Sequence, residues 1–114
     1  MNIVVVIANP NPGSFSHAIG GVVAETLRGN GHSVVSHDLC AEKFDPLLPA
    51  AELPKDAPLP AEIRRHCDEI ASADGIVLIH PNWWGQPPAI LKGWVDRVIR
   101  QGVAYTFKVN DVGE

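Results

Sequence analysis

The chain has 114 residues, 46% of them hydrophobic, and a formal net charge of -4 at pH 7. A chain of this length folds as one domain around a single core, and the clustering of its apolar residues excludes a disordered protein. The nine Lys and Arg residues are scattered and form no basic stripe, so we expect no nucleic-acid binding.

The N-terminal run IVVVIA, at residues 3–8, is a short series rich in β-branched residues that ends at NPNPG. Such a run predicts a strand near residues 2–8 that is buried on both faces of a sheet. It is far shorter than the roughly 18 residues that span a bilayer, and it lacks the positive flank and cleavage site of a signal peptide. We therefore expect a cytoplasmic protein without membrane insertion.

The second predicted element is an amphipathic helix that begins near Ser16. Its apolar residues recur at intervals of three and four, and Gly29-Asn30-Gly31 supplies a stop. A weaker second strand follows at 32–38. Half of the ten prolines lie in residues 40–60, and prolines interrupt both helices and strands. This segment is therefore predicted to be a long, irregular surface connection.

A second helix is predicted to begin at Pro60, because proline suits the first helical position. Its apolar face contains Ile63 and Cys67, whereas His66 falls on the charged face and is expected to be solvated. The run GIVLIHP then predicts a third strand at 75–80.

A third helix opens at Pro88, and Trp94 on its broad apolar face is expected to lie in the core. Strands that alternate with helices in this way predict an α/β protein with parallel strands and right-handed crossovers. We predict a sheet of order 2-1-3 with helices on both faces. Ligands of such sheets bind beyond the carboxyl ends of the strands.

Two loops leave those ends: ANPNPGSFSH after the first strand and HPNWWGQPP after the third. The first loop runs into a helix whose leading N–H groups form an anion site. Ser14 and Ser16 either donate to a phosphate there or serve as plain helix caps, and the sequence leaves both roles open. In the second loop, prolines and Gly85 hold Trp83 and Trp84 at the ligand edge, which indicates a planar aromatic ligand.

Other kinds of site are disfavoured. Ser14 and His17 invite a hydrolase interpretation, but no GxSxG motif surrounds the serine and no triad can be named. Cys40 and Cys67 lack CxxC spacing and are expected to be free thiols. His32 and His37 are predicted to point to opposite faces of a strand, so we expect no metal site.

The combination of PGSF, HPNWWGQPPAILKGW and VAYTF resembles the NAD(P)H quinone oxidoreductases of flavodoxin-like fold. The match is specific over residues 81–107 and looser over the rest of the chain, where Asp38-Leu39 and Phe44-Asp45-Pro46 are further shared elements. The resemblance implies an α/β, flavodoxin-like three-layer sandwich. It also implies a bound flavin, FMN or FAD, that takes hydride from NAD(P)H and passes it to a quinone.

Carried over by position, the resemblance assigns roles to residues of both loops. The flavin phosphate and ribityl chain would be held by Asn9, Ser14, Phe15 and Ser16. The isoalloxazine would be wrapped by Pro81, Asn82, Trp83, Trp84 and Gly85. Tyr105 would line the substrate pocket, and no catalytic residue is assigned.

Relatives continue into further strands, whereas this chain ends in VNDVGE before a fourth one. The resemblance thus covers the N-terminal two thirds of the family, and we expect a single flavodoxin-like domain, C-terminally incomplete, that binds flavin poorly by itself. The third strand would then be an apolar edge. Exposed apolar edges pair with other chains, so we expect a homodimer.

Two other functions stay open. A Rossmann-type nicotinamide-binding unit would use Asp38, at the end of the second strand, to bind the ribose, although the glycine fingerprint of such units is missing. A non-enzymatic flavodoxin-like module would regulate or pair with another protein through the open edge. Flavin absorption of the purified protein would separate the quinone reductase from both.

Overall fold

The computed structural model describes residues 1–108, and the VNDVGE stretch at 109–114 lies outside the described residues. In chain order, the elements are β1 (Asn2–Ile7), α1 (Phe15–Gly29), β2 (Ser33–Asp38), a short 3-10 helix (Ala50–Glu52), α2 (Ala61–Ala71), β3 (Gly75–Ile79) and α3 (Ala89–Val98). Within residues 1–108, no helix is long and apolar enough to cross a membrane.

The three strands form one parallel sheet of order β2-β1-β3. Ile7, at the end of β1, pairs with Asp38 on one side and with Ile79 on the other. The predicted order and direction of the strands are confirmed. Each predicted strand, at 2–8, 32–38 and 75–80, runs one residue beyond the observed strand at one end.

Helices cover both faces of the sheet, which gives the three layers that were predicted. The face toward α1 buries Val5, Ile7 and Ile79, against which Val23 and Leu27 of α1 pack. The opposite face, toward α2 and α3, buries Val4, Val6, Ile63, Cys67, Ile70, Leu91, Trp94 and Val98. Trp94 is 1% exposed, so its predicted place in the core is confirmed.

The connection between β2 and α2 is not the surface segment that its prolines predicted. Phe44 and Glu52 are both buried, at 2% and 3% exposure. Arg97 of α3 forms an ion pair with Glu52 at 2.7 Å, and Arg100 donates to the Glu52 carbonyl at 2.7 Å. Prolines prevent regular helix and strand here, but they do not prevent side chains from packing inward.

β3 is an edge of the sheet that the described residues form. Two of its apolar side chains, Ile76 and Leu78, alternate along the strand and are 43% and 44% exposed. They stand on the same face as Val4 and Val6, their partners in the register of β1. The expected apolar edge is therefore present in the part of the chain that the structure describes.

Candidate functional site

The two predicted ligand loops begin side by side at the carboxyl edge of the sheet. β1 and β3 are adjacent, and the N–H of Ala8 donates to the carbonyl of Ile79 at 2.9 Å. The polypeptide that follows Ala8 and the polypeptide that follows Ile79 therefore leave the sheet together. This is the edge at which ligands of parallel α/β sheets bind.

The first loop is held in shape by its own asparagines. The side-chain oxygen of Asn9 accepts from the N–H of Asn11 at 2.9 Å, and that of Asn11 accepts from Gly13 at 3.0 Å. The N–H of Ser14 donates to the Asn11 carbonyl at 3.0 Å. These short-range hydrogen bonds stabilise the conformation of the loop that leads into the first turn of α1.

Ser14 caps α1, and its side chain also belongs to a chain of polar contacts. Its Oγ accepts from the N–H of His17 at 3.2 Å and lies 2.7 Å from Nδ1 of the same residue. Nε2 of His17 lies 2.7 Å from Oδ2 of Asp38 at the end of β2. The cap role of Ser14 is confirmed, and a Ser–His–Asp sequence of contacts exists that the sequence did not reveal. Ser14, His17 and Asp38 were each named from the sequence, but the contact between His17 and Asp38 was not predicted.

The first turn of α1 keeps donors available for an anion. The backbone N–H groups of Phe15 and Ser16 have no hydrogen-bond acceptor among the described residues, as expected for the first positions of a helix. The Ser16 side chain is 8% exposed and the Phe15 ring 81% exposed. No acidic residue of α1 itself lies in this turn, and the nearest carboxylate described above, that of Asp38, contacts the turn through His17.

The second loop contains a tight turn with Trp84 at its tip. Trp83 and Gln86 exchange two backbone hydrogen bonds, each of 2.9 Å. The two central residues, Trp84 and Gly85, both have positive φ, 56° and 75°, as a type I′ turn requires. Glycine and asparagine suit these positions, whereas a bulky residue in the left-handed region is strained by roughly 1–3 kcal/mol.

Within residues 1–108, no packing of the Trp84 side chain compensates for that strain. Its side chain is 102% exposed, and that of Trp83 is 46% exposed. A fully exposed tryptophan in a strained backbone conformation stabilises the fold neither by packing in the core nor by its local conformation. Strain of this kind is concentrated at ligand sites, which makes the Trp84 turn the strongest structural indication of function in the molecule.

The remaining residues of the second loop lie at the same edge, but Tyr105 does not. His80 donates from Nδ1 to the Pro81 carbonyl at 2.7 Å, a contact that shapes the start of the loop before Asn82. Tyr105 follows α3, where it pairs with Gln101. Its neighbours Val103 and Ala104 line a cavity with Gly75 and Ile76, at the beginning of β3. Within one chain, Tyr105 is therefore at the opposite end of the sheet from Trp84.

A second polar cluster lies under the connection that follows β2, and it corrects the prediction for His66. That residue is 1% exposed, its ring stacks on His37 with centroids 4.0 Å apart, and its Nδ1 accepts from Nε1 of Trp94 at 3.1 Å. Burial lowers the pKa of His66, and the neighbouring His37 lowers it further. The expectation of a solvated His66 is wrong because the segment after β2 covers this side of α2.

The hydrogen bonds and ring geometry of the same cluster do not suit a metal ion. His37, Glu42 and His66 bring potential ligand atoms within 4.8 Å of one another. Because Trp94 donates to Nδ1 of His66, the proton of the neutral ring sits on Nε2, the nitrogen that would have to bind the metal. The two rings are also stacked, 28° from parallel, so a metal in the plane of one ring would lie out of the plane of the other.

Comparison with known proteins gives consistent matches. The model of a protein family described by its flavodoxin-like fold matches residues 1–114. An uncharacterized NAD(P)H oxidoreductase of Haemophilus influenzae is 39% identical over 108 residues, which are 92% of this chain and 54% of that protein. NAD(P)H dehydrogenase (quinone) 1 of Rattus norvegicus is 31% identical over 122 residues, 90% of this chain and 44% of that protein.

Among solved structures, the NAD(P)H:quinone oxidoreductase from Methanothermobacter marburgensis is similar, with a TM-score of 0.82 and 33% identity. The similarity covers 94% of this chain and 57% of that one. The chain thus spans about half the length of the curated relatives it matches.

Proposed function

Because the chain belongs to the family of proteins with a flavodoxin-like fold, we propose that it forms the flavin-binding part of an NAD(P)H:quinone oxidoreductase. The names of the relatives support the reaction. The observation that carries the flavin assignment is the strained, fully exposed Trp84 in the loop that leaves the sheet at the same edge as the loop leading into α1. One edge of the sheet thus offers an aromatic wall and an anion site.

The donors present fit a flavin phosphate, either of FMN or of the diphosphate of FAD. The N–H groups of Phe15 and Ser16, in the first turn of α1, would donate hydrogen bonds to phosphate oxygens. Asn9 lies at the mouth of the same loop, and its amide nitrogen would extend this donor set toward the ribityl chain.

The second loop fits the ring of the flavin. Trp83 and Trp84 would lie against the isoalloxazine and exclude water, while Pro81, Asn82 and Gly85 hold the loop at the edge of the sheet. A bound flavin supplies the hydride chemistry, accepting hydride from NAD(P)H and delivering it to a quinone. The role of the chain is to orient the flavin and to keep its surroundings dry.

The substrate role of Tyr105 requires a second copy of the chain. The neighbours of Tyr105, Val103 and Ala104, line a cavity at the beginning of β3, and a neighbouring chain would bring its own Tyr105 to the edge where Trp84 lies. We therefore keep the homodimer and the substrate contact of Tyr105 as linked proposals. A cytoplasmic location and a single domain that is completed by further polypeptide remain part of this proposal.

The structure disfavours the Rossmann alternative, because Asp38, the residue that would bind the ribose, already has another partner. Asp38 lies 2.7 Å from Nε2 of His17, so its carboxylate already has a strong partner. Flavin binding distinguishes the non-enzymatic alternative from the proposal, because a regulatory module needs no flavin.

Flavin binding tests the proposed function directly. FMN titrated into the 114-residue chain should bind weakly, with quenching of FMN fluorescence. Trp84→Ala should weaken binding roughly 2- to 12-fold, the equivalent of an aromatic contact of about 0.5–1.5 kcal/mol, and Ser14→Ala should act more mildly. Val22→Ala is the matched control, since Val22 is 64% exposed on α1. Equal affinities of the parent, Trp84→Ala and Val22→Ala would contradict the proposed contact between Trp84 and the isoalloxazine. No FMN binding at all would favour the non-enzymatic module.

A further inference from the structure

We propose that His66 is a pH-dependent switch between two hydrogen-bond partners. The neutral ring accepts a hydrogen bond from Trp94 of α3, whereas the protonated ring loses that bond and donates to Glu42 of the connection that follows β2. This switch needs no bound flavin and does not depend on the proposed function. It predicts that mild acid loosens the contact between α2 and α3 while the sheet stays folded.

The cluster around His66 contains two buried polar atoms that lack a hydrogen-bond partner within residues 1–108. They are Nε2 of His66 and Oε1 of Glu42, and they lie 3.4 Å apart. The His66 side chain is 1% exposed, so bulk water does not supply the missing partners. Buried polar groups normally have a partner. A donor and an acceptor left unpaired at this distance indicate a second arrangement, in which they bond to each other.

The hydrogen bond from Trp94 establishes which nitrogen of His66 carries the proton. An indole N–H only donates, so Nδ1 of His66, 3.1 Å from Nε1 of Trp94, is an unprotonated acceptor. A ring with one acceptor nitrogen is neutral, and its proton is on Nε2. Burial lowers the pKa of His66 and the neighbouring His37 lowers it further, which agrees with a neutral ring at pH 7.

A second proton on the ring is incompatible with the hydrogen bond from Trp94. Nδ1–H and the indole N–H would then be two donors directed at each other, so this bond breaks. The positive ring is at the same time attracted to Oε1 of Glu42, which lies only slightly beyond the hydrogen-bond distance of about 2.9 Å. One proton is taken from solvent, and no bond other than hydrogen bonds changes.

The charged groups that face His66 act in opposite directions. They are His37 from β2, Glu42 from the connection, and Glu62 and Glu69 from α2. The carboxylates favour the protonated ring, whereas burial and the second histidine favour the neutral ring and predominate. From α3 the ring faces the uncharged Trp94, and Arg97 of the same helix lies over the Phe44 ring. The protonated ring is therefore reached in mild acid, below the ordinary histidine pKa of about 6.5.

The exchange of partners affects how α2 and α3 pack. Within residues 1–108, the bond between Trp94 and His66 is the side-chain hydrogen bond that joins these two helices. Trp94 is 1% exposed, so its indole N–H reaches water only if the helices separate slightly. A buried donor without a partner is unfavourable. Protonation of His66 therefore favours a form in which α2 and α3 are in looser contact.

The test is a pH titration of the 114-residue chain by nitrogen NMR, from pH 7.5 to pH 5. At pH 7.5 we expect a proton on Nε2 of His66 alone and a Trp94 indole N–H that is protected from exchange with solvent. As His66 takes up its second proton, with a midpoint below about 6.5, protection of the indole N–H should be lost in parallel. The backbone N–H of Val5, in the central strand of the sheet, should stay protected.

Two variants assign the parts of the switch. His66→Gln keeps an acceptor for Trp94 but does not titrate, so protection of the indole N–H should no longer be lost over this pH range. Glu42→Gln removes the charge that attracts the protonated ring, so the midpoint of His66 should shift to lower pH. Glu25→Gln is the matched control, because Glu25 is exposed on α1 and should leave the midpoint unchanged.

Several results would overturn the inference. One is an indole N–H of Trp94 that stays protected while His66 titrates, and another is a proton on Nδ1 of His66 at pH 7.5. Loss of protection at Trp94 and Val5 together would mean that the whole chain unfolds and that there is no switch. Equal midpoints for the parent and Glu42→Gln would exclude Glu42 as the new partner. The parent and Glu42→Gln decide the matter even if His66→Gln does not fold.

Discussion

Gly93 of α3 lies directly against Pro46 of the connection that follows β2. A β-carbon placed on Gly93 would be 2.2 Å from the Pro46 β-carbon and 2.3 Å from its carbonyl oxygen. Glycine inside a helix is unfavourable by roughly 1 kcal/mol relative to alanine, and here the close approach of another backbone explains it. This contact and the Arg97–Glu52 ion pair fix the connection on α3.

Replacement of Gly93 by alanine should therefore destabilise the protein, although alanine is the better helix former. We expect a loss of about 1–3 kcal/mol from overpacking against backbone that cannot move aside. Gly21→Ala in α1 is the control, because nothing lies within 4 Å of a β-carbon there, and it should stabilise by roughly 0.5–1 kcal/mol. Urea unfolding of the two variants measures both, and a stabilising Gly93→Ala would contradict the contact.

The Trp84 turn predicts opposite effects on stability and on flavin binding. Trp84→Asn should raise the free energy of unfolding by about 1 kcal/mol, since asparagine suits the left-handed position of a type I′ turn. The same change should weaken FMN binding, because the aromatic wall is lost. Gly85→Ala, at a φ of 75°, should instead destabilise the protein. A Trp84→Asn variant that is less stable than the parent would show that the side chain contributes to folding.

Glu52 and Arg97 form a buried ion pair, with side chains 3% and 8% exposed. Glu52→Gln should cost about 3–5 kcal/mol, because it leaves the Arg97 charge buried without its partner. Asp96→Asn removes an exposed pair with Lys92 on the same helix, and exposed pairs contribute only about 0–1 kcal/mol. Thermal or urea unfolding gives the two values. Similar losses in both variants would mean that burial does not decide the strength of these pairs.

Stability should decrease in mild acid because of His66. Its pKa is lowered by burial, so the unfolded chain binds this proton more tightly than the folded one. The neutral ring makes its full contribution to the free energy of unfolding at pH values above the ordinary histidine pKa of about 6.5. This contribution is lost as the pH falls below that pKa. His66→Gln keeps an acceptor for Trp94 and should reduce the dependence on pH, whereas His32→Gln should not. The measurement is urea unfolding at pH 5.5 and 7.5.

The exposed edge of β3 should drive self-association. Ile76→Lys should weaken it, since a charge on an edge strand opposes pairing with another chain. Val35→Lys on β2 is a control of similar exposure, 41% against 43% for Ile76. Sedimentation velocity distinguishes them. Unchanged association in Ile76→Lys, or an equal loss in Val35→Lys, would place the contact elsewhere.

Local pattern in the sequence was enough to predict the elements and their order. The β-branched runs, the helical spacing of apolar residues and the stops at glycine and proline act over a few neighbours, and each matches an observed strand or helix to within a residue or so. The place of Trp94 in the core follows from the same periodicity. The loops at the carboxyl edge follow from parallel topology alone.

Tertiary structure decided what depends on residues that are distant in the chain. His17 and Asp38 meet because α1 and β2 pack together, and no local pattern in the sequence pairs the two residues. His66 is buried because the segment after β2 lies over α2, although the helical pattern placed it on the charged face. Tyr105 lies far from Trp84 because α3 runs back toward the beginning of β3 before Tyr105 is reached. Periodicity specifies which face of an element is apolar, but only packing determines which polar side chains of different elements come into contact.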